Sequence, residues 1–269
     1  MRALISILSL LVLGPVGASW AQLAAPGEAG VAMGHVHLVV RDLEASKKFF
    51  ATLGGETGKF GATETVKFPG VFVFLRQGDP TGGSVGTIVN HVGFQVPSLQ
   101  EAVAKLEGAG IKTFPGPNPQ QVYIYAPGEM RIAIVEVPSS SVPIAFHHVH
   151  FYVGEAGSEN GSPVDEIKVW YVKLFGAKPG KRGNIETADL PGASLTLTKS
   201  PTPTVGIKGR VLDHIGFEIK DLEAFCKKLE ASGVKLDRPY SKRPDGLGLA
   251  FLTDPWGTYI ELTEGLNRL

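Results

Sequence analysis

The sequence predicts an α+β fold made of four repeated modules, each with one strand, a helix and about three further strands (βαβββ). Two observations support this prediction: histidine recurs in four short windows, and similar helix signals follow the windows. The windows read, in chain order, His35-Val-His-Leu, His91-Val-Gly-Phe, His148-Val-His-Phe and His214-Ile-Gly-Phe. All seven histidines of the 269-residue chain lie in or directly beside these windows. Such internal repetition indicates one supersecondary unit used four times.

A helix is predicted after each window. Asp42, Ser98 and Asp221 each stand seven residues after the first histidine of their window. Asp and Ser are favoured helix N-caps because their side-chain oxygens accept free backbone N–H groups of the first turn. Apolar residues then recur at helical spacing, and glycine follows, as is common at helix C-termini. These glycines are Gly54, Gly55, Gly108, Gly110, Gly176 and Gly233.

Strand-like segments complete each module after its helix. They are short, rich in β-branched and aromatic residues, and bounded by turn residues, which is the pattern of β-strands. The clearest examples are residues 71–75, 122–125, 131–136, 194–198 and 249–252.

The modules alternate in type along the chain. Modules 1 and 3 have histidine at the third position of the window, whereas modules 2 and 4 have glycine there. Module 3 also carries an insertion, residues 154–163. An uncharged stretch from Pro138 to Pro143 predicts the boundary between two pairs of modules. This gives an N-terminal paired-module domain, residues 33–138, and a C-terminal one, residues 144–269.

The N-terminus has the pattern of a secretory signal peptide. Arg2 precedes a short apolar run, and Ser19 and Ala21 supply the small residues of a cleavage site. We expect cleavage after Ala21, so that residues 1–21 are the signal peptide and residues 22–32 a linker. The run is short for a membrane span, which needs about 20 apolar residues. The mature protein is therefore expected to be secreted or periplasmic, without a membrane anchor.

Charge excludes one class of partner. Lys and Arg together number 26, as do Asp and Glu, so the formal net charge is zero. Nucleic-acid binding requires a basic surface, which this composition does not indicate. The expected partner is a small-molecule substrate, with a homodimer as a further option.

Four βαβββ modules in two pairs, with histidine on each first strand, resemble the vicinal-oxygen-chelate superfamily. Its members include glyoxalase I, bleomycin and fosfomycin resistance proteins, and extradiol ring-cleaving dioxygenases. The resemblance covers roughly residues 33–265 and includes the closing segment Asp254-Pro-Trp-Gly-Thr-Tyr-Ile-Glu261. It implies that the sheets of each pair form a cup around a metal. Ligands then come from both first strands and from the last strand of one or both modules.

Carried over residue by residue, the resemblance implies one metal site with His148, His214 and Glu261 as ligands. His35 and His91 match the histidine positions of the other pair, but Ala133 stands where Glu261 would. Glu136 lies three residues further along, and alternation along a strand points its side chain to the opposite face. The first pair is therefore expected to hold a vestigial site at His35 and His91.

Two imidazoles and one carboxylate suit Fe(II), Mn(II) or Zn(II), and open coordination positions favour Fe(II). A substrate could then bind the metal through two adjacent oxygens. His150, Phe251, Tyr240 and Arg243 are candidates for substrate contact. The sequence assigns no catalytic residue.

Three functions remain open at this point. A ring-cleaving dioxygenase matches the ligand set, but Phe251 stands where those enzymes have tyrosine, and their acid/base histidine is missing. A glyoxalase-type lyase or isomerase needs a further glutamate ligand, which residues 192–198 do not supply. A non-enzymatic resistance-type protein would bind its ligand without needing the metal ligands. Of the three, a dioxygenase-like function is preferred because its ligand set matches.

Overall fold

A computed structural model describes residues 22–154 and 162–268. The predicted signal peptide, and residues 155–161 of the predicted insertion, lie outside the described residues. Within them, the chain forms two eight-stranded mixed sheets with four α-helices, and neither sheet closes into a barrel. The predicted α+β class with four βαβββ modules is confirmed.

The modules follow one another along the chain. Module 1 comprises β1 (Val31–Val40), α1 (Leu43–Leu53), β2 (Glu56–Phe60), β3 (Thr63–Phe68) and β4 (Val71–Gln77). Module 2 comprises β5 (Val89–Val96), α2 (Leu99–Gly108), β6 (Phe114–Pro115), β7 (Gln121–Ala126) and β8 (Met130–Glu136). Module 3 comprises β9 (Ala145–Val153), α3 (Pro163–Phe175), β10 (Lys178–Arg182), β11 (Ile185–Leu190) and β12 (Ala193–Lys199). Module 4 comprises β13 (Leu212–Ile219), α4 (Leu222–Ala231), β14 (Leu236–Lys242), β15 (Gly248–Thr253) and β16 (Tyr259–Glu264), followed by a 3-10 turn (Leu266–Arg268).

The helix starts follow the local sequence. The Asp42 carboxylate accepts the backbone N–H of Ala45 at 2.8 Å, and Asp221 and Ser98 cap their helices in the same way. Gly54 ends α1 with a φ of 119°, in the left-handed region that side chains disfavour. The linker expected at residues 22–32 is partly structured, because β1 begins at Val31 and Leu23 is buried.

The two sheets pair the modules differently from the prediction. The first sheet has the strand order β14-β15-β16-β13-β1-β4-β3-β2 and therefore joins modules 1 and 4. The second sheet, with the order β10-β11-β12-β9-β5-β8-β7-β6, joins modules 2 and 3. The chain starts in the first sheet, builds the whole second sheet and then returns.

The predicted domains at residues 33–138 and 144–269 are therefore wrong, since each would take half of both sheets. The stretch from Pro138 to Pro143 links β8 to β9 inside the second sheet instead of separating two pairs. Two longer connections, residues 78–88 and 200–211, cross between the sheets and meet at a bridge between Thr87 and Val205. Short connections favour elements that are close in space, which is consistent with the observed pairing.

One continuous hydrophobic core joins the sheets. Phe68 of the first sheet packs on Phe94 of the second, with ring centroids 4.7 Å apart. Residues alternate along each central strand, so Val92 and Phe94 enter this core while His91 and Gly93 face the other side. Each sheet thus has an outer face on which its histidines lie. Among the described residues, no helix is long and apolar enough to cross a membrane.

Candidate metal centre

The central strands of the first sheet bring two histidine windows together. Strands β1 and β13 run antiparallel, and their register places His37 opposite His214 and His35 opposite Gly216. Strand β16 runs parallel to β13 and places Glu261 beside Gly216. Cross-strand neighbours lie on the same face of a sheet, so these side chains converge. We call His35, His214 and Glu261 the first histidine cluster.

The glycine at the third position of windows 2 and 4 has a steric role. A Cβ atom added to Gly216 would lie within the imidazole ring of His35, and one added to Gly93 would overlap the ring of His148. Each glycine leaves space for the histidine that crosses over it from the neighbouring module. The alternation of histidine and glycine windows is therefore a packing requirement between paired modules.

One carboxylate oxygen connects the first histidine cluster. Oε2 of Glu261 lies 3.0 Å from Nε2 of His35 and 2.8 Å from Nε2 of His214. His35 is 0% exposed, His214 5% and Glu261 8%, so the cluster is almost removed from solvent. On its far side, Nδ1 of His214 lies 2.7 Å from Oδ1 of Asp213.

The charges of the cluster depend on one another. Burial alone would raise the pKa of Glu261, but the neighbouring His35 and His214 hold it well below its usual range. Burial lowers the pKa of His214, and the hydrogen bonds to Asp213 and Glu261 outweigh it and raise that pKa. The two neighbouring imidazoles thus favour the charged form of Glu261.

The donor set fits a divalent metal. His35, His214 and Glu261 each offer a ligand atom, and these atoms lie within 4.8 Å of one another. Separations near 3 Å between Nε2 and Oε2 are those of adjacent ligands around an ion with bonds of about 2.1 Å. The contact of His214 with Asp213 matches the carboxylate partner that metal-bound histidines usually have, which fixes the tautomer and ring orientation. A metal between these donors would take the place of the direct contacts of Glu261 with His35 and His214.

His37 lies beside the cluster without belonging to it. Its ring centroid is 4.6 Å from that of His214, and its Nε2 is buried with no hydrogen-bond partner among the described residues. Burial and the nearby His214 and His35 lower the pKa of His37 to about 3, so its imidazole is neutral.

Aromatic rings surround the first histidine cluster. The rings of Phe74, Phe251 and Tyr259 lie 4.9 to 5.7 Å from a cluster imidazole. Phe60 stacks on Phe74 at 6.1 Å and extends this wall outward.

Three exposed cations lie on this aromatic wall. Lys208 lies 4.0 Å from the ring centroid of Tyr259, Arg238 5.0 Å from that of Phe251 and Arg243 5.4 Å from that of Phe60. We call these residues the cationic rim. The predicted contact residue Arg243 belongs to it, whereas Lys208 and Arg238 were missed, because isolated basic residues in a sequence give no signal of a shared site.

The second sheet carries an equivalent cluster with different chemistry. His91, His148 and His150 each offer a ligand atom, again within 4.8 Å of one another, and all three are buried. We call them the second histidine cluster. Ala133 occupies the register position of Glu261, beside Gly93, and Asn90 precedes His91 where Asp213 precedes His214. Burial is the largest cause that lowers the pKa of all three imidazoles, to about 4 for His150, so they are neutral.

The structure separates the predicted ligand set. His214 and Glu261 come together as expected, but His148 lies in the other sheet and His35 takes its place. The vestigial pair His35 and His91 is also divided between the sheets. The physical reason is the pairing of modules 1 and 4, which the local windows do not specify because modules 1 and 3 carry the same motif.

The remaining predicted contact residues have mixed outcomes. Phe251 lies at the first histidine cluster, and His150 belongs to the second. Tyr240 packs against the hydrophobic core near Gly248, and the acidic groups around it, including Glu223, belong to α4 and its surroundings. It therefore lies on the helix side of the sheet. Glu136 points away from the cluster as predicted, and its carboxylate caps α2 at the backbone N–H of Leu99.

Two surface grooves lie away from both clusters. One, of about 880 Å³, is bounded by Phe49, Phe114 and Arg210, and another, of about 380 Å³, lies between α1 and α2. Groove volume therefore does not identify the site. Converging donor atoms and their burial do.

Part of the chain matches a known protein family. Residues 161–262 match the model of the Glyoxalase/Bleomycin resistance protein/Dioxygenase superfamily. The comparison with curated protein sequences gave no match.

Solved structures share the fold across nearly the whole chain. Glyoxalase I from Zea mays has a TM-score of 0.70 at 16% identity, covering 88% of this chain and 94% of that chain. A Bacillus subtilis protein proposed to be a dioxygenase has a TM-score of 0.64 at 15% identity, covering 91% of this chain and 86% of that chain. At such low identity these similarities concern the fold.

Proposed function

We propose that this chain, whose residues 161–262 match the model of the Glyoxalase/Bleomycin resistance protein/Dioxygenase superfamily, is a metal-dependent enzyme of that superfamily acting on a small oxygenated anion. The observation that carries the proposal is Glu261 held between His35 and His214, with Asp213 behind His214. Two histidines and one carboxylate are the ligand set of non-haem Fe(II) oxygenases, and Mn(II) or Zn(II) also suits these donors. We favour Fe(II).

The bound metal would supply Lewis-acid activation of a substrate held through two adjacent oxygens. The protein residues would then bind and orient that substrate. The rings of Phe74, Phe251 and Tyr259 give a flat apolar wall that suits a planar molecule. The cationic rim would pair with a negative group at the substrate's far end, because its members are exposed while Glu261 is enclosed.

His37 is the candidate for proton handling. Its unpartnered Nε2 is a neutral nitrogen next to the ligand His214, where it could accept a proton from a substrate hydroxyl. The sequence indicated no such residue for the predicted C-terminal domain. The pairing of modules 1 and 4 brings His37 into the same sheet as His214 and Glu261.

Ring-cleaving oxygenation is preferred over glyoxalase-type chemistry for one structural reason. The glutamate ligand that a glyoxalase would need from the other module would stand on β4, beside β1. The β4 residues next to His35 and His37 are Phe72 and Phe74, so no carboxylate enters the cluster from that strand. A non-enzymatic binding protein is the second candidate, because His35 and His214 already satisfy Glu261 without a metal.

The test begins with metal content. The mature protein, purified without chelators, is compared with Glu261→Gln and with the matched control Glu264→Gln, whose carboxylate caps α4 at Leu222 on the opposite face. We expect Glu261→Gln to lose the metal of the first histidine cluster and Glu264→Gln to keep it. Absence of Fe(II), Mn(II) and Zn(II) binding at the first cluster in the unaltered protein would instead favour the non-enzymatic binder.

Substrate screens then separate the reactions. Catechols with and without a carboxylate are assayed for dioxygen consumption equal to the substrate lost, and 2-oxoaldehydes with a thiol are assayed for isomerisation. We expect turnover of a carboxylated catechol, reduced in His37→Ala at unchanged metal content. Isomerisation without dioxygen consumption would make the protein a lyase or isomerase.

We also propose that the protein acts outside the cytoplasm after cleavage behind Ala21. The new N-terminus would be Gln22, whose carbonyl accepts the backbone N–H of Gly70 at 3.2 Å, so that the mature chain starts at the edge of the fold. N-terminal sequencing of exported protein tests this. An intact Met1 in the exported form, or the absence of export, would contradict it.

A further inference from the structure

The second histidine cluster lies on a different sheet from the first and has no assigned role in the proposed function. His91 is 0% exposed, His148 3% and His150 9%. Burying three imidazoles together is costly unless their nitrogens find partners. Their hydrogen bonds therefore determine what the cluster can bind.

His91 has a defined tautomer. The guanidinium of Arg131 donates from Nη1 to Oδ1 of Asn90 at 3.0 Å, which identifies that atom as the amide oxygen. Nδ1 of His91 lies 3.0 Å from the same oxygen and must carry the proton that it donates. In the neutral ring, Nε2 is then an unprotonated acceptor. This atom is buried without a partner among the residues that the structure describes.

The other two imidazoles also have one nitrogen engaged outside the cluster. Nδ1 of His148 lies 2.7 Å from Nδ1 of His147, and Nε2 of His150 lies 2.8 Å from the hydroxyl of Thr198. Nε2 of His148 and Nδ1 of His150 are thus left for the cluster. These contacts hold the two rings in place, as a hydrogen bond to the second ring nitrogen does for metal-bound histidines.

We propose that His91, His148 and His150 form a second metal site, specific for Zn(II), with an anion as the fourth ligand. Three neutral imidazoles leave the full charge of a divalent ion uncompensated, in contrast to the first histidine cluster with Glu261. Imidazole donors suit zinc, and three histidines with one open position are a known tetrahedral zinc arrangement.

The surroundings of the second histidine cluster favour the anion. Ala133 supplies no carboxylate, while Arg131 and Arg182 act on the cluster imidazoles as positive charges. Thr196 stands beside His150 on the neighbouring strand, and its buried hydroxyl lacks a hydrogen-bond partner within the described part of the chain. That hydroxyl can donate to an oxygen of the fourth ligand.

The experiment uses the full mature chain with Glu261→Gln, which removes the carboxylate of the first histidine cluster, so that the second cluster is tested apart from the proposed function. After metal removal, Zn(II) and the spectroscopic probe Co(II) are titrated separately. We expect one Zn(II) per chain and an intense visible Co(II) absorption, as four-coordinate sites give. Adding His91→Ala or, independently, His150→Ala should lower Zn(II) affinity at least about 100-fold.

The matched control is His37→Ala in the same Glu261→Gln chain, since His37 holds the position in the first sheet that His150 holds in the second. It should leave Zn(II) binding unchanged. Thermal melts confirm that each variant is folded. Three results would overturn the proposal: lack of Zn(II) uptake by Glu261→Gln, a Zn(II) affinity in His91→Ala or His150→Ala equal to that of the Glu261→Gln chain, or binding of inorganic phosphate that needs no metal.

Discussion

In the first sheet Glu261 lies beside Gly216, and in the second sheet Ala133 lies beside Gly93. The strand register around these positions is equivalent, and in both sheets a glycine leaves room for a histidine from the partner module. The residue before the central histidine differs too, since Asp213 corresponds to Asn90. Two side chains therefore replace a cluster that contains a carboxylate by one that contains only imidazoles, at equivalent strand positions. The backbone sets where donors converge, and these two positions set the charge of what they hold.

The largest expected effect is the loss of Mn(II) affinity when a ligand of the first histidine cluster is removed. His35→Ala should weaken Mn(II) binding at the first histidine cluster by at least about 100-fold, more than typical changes outside the ligand shell. His148→Ala should leave that binding unchanged, because His148 lies in the other sheet. Titration calorimetry with Mn(II) measures both. The reverse result would restore the ligand set predicted from sequence and contradict the observed pairing.

The turn that precedes β16 is expected to make the stability of the protein depend on pH. Asp254 is buried before β16, where Tyr171 donates to its carboxylate at 3.0 Å, and burial raises its pKa to about 6. A folded-state pKa above the unfolded value means that the folded protein binds the proton more tightly. The stability from this proton is present below about pH 4 and is lost as pH rises to about 6. Over this pH range the free energy of unfolding is expected to fall by about 3 kcal/mol.

Asp254→Asn should remove this dependence while keeping an acceptor for the backbone N–H groups of Trp256 and Thr258. Urea unfolding of metal-free protein at pH 4 to 7 measures the difference between the two proteins. Parallel stability curves for the two would show that Asp254 does not titrate in this range.

A smaller effect is expected from the carboxylate behind His214. Asp213→Asn gives the first histidine cluster the neutral partner that Asn90 provides in the second. Loss of such a partner typically lowers metal affinity about 10–100-fold, and we expect a decrease in that range for Mn(II). Asp221→Asn is the control, since asparagine also caps a helix well. An unchanged affinity in Asp213→Asn would mean that the contact does not orient His214 for metal binding.

The smallest expected effect is an increase in the Mn(II) affinity of the second histidine cluster. Ala133→Glu places a carboxylate at the register position of Glu261, and we expect Mn(II) affinity of the second histidine cluster to rise about tenfold. Ala133→Gln has the same length without the charge and should give no increase. Measurements in the Glu261→Gln chain isolate this site. Equal behaviour of the two substitutions would show that charge alone does not distinguish the clusters.

Local features of the fold were predictable from sequence because they depend on neighbouring residues. The caps at Asp42, Ser98 and Asp221 form as expected, and Glu136 faces away from the histidines as strand alternation requires. The roles of Glu261 and His214 as cluster members also followed from their modules. Each of these predictions needed only the order of residues within one module.

The pairing of modules could not be predicted from the sequence in the same way. Windows 1 and 3 share the His-Val-His pattern, so either could cross the glycine of window 4, and His35 and His148 were equivalent by motif. The connections contained a usable signal, because residues 137–144 form a shorter link than residues 78–88 or 200–211. A short link suits modules of one sheet. Lys208 and Arg238 of the cationic rim were missed because they reach the site from separate segments of the chain.

The return of the chain to its first sheet has a consequence for folding. His35 and Glu261 are 226 residues apart in sequence, so the first histidine cluster forms only after β16 has been made. The second sheet uses only residues 89–199 and lies between them in sequence. During synthesis, modules 2 and 3 can assemble while β1 still lacks its partner β13, and such long-range pairing is intrinsically slow. A chain truncated before module 4 would keep a complete second sheet but lose the first cluster. Metal binding at Glu261 therefore requires that β16 has been synthesised and has joined the first sheet.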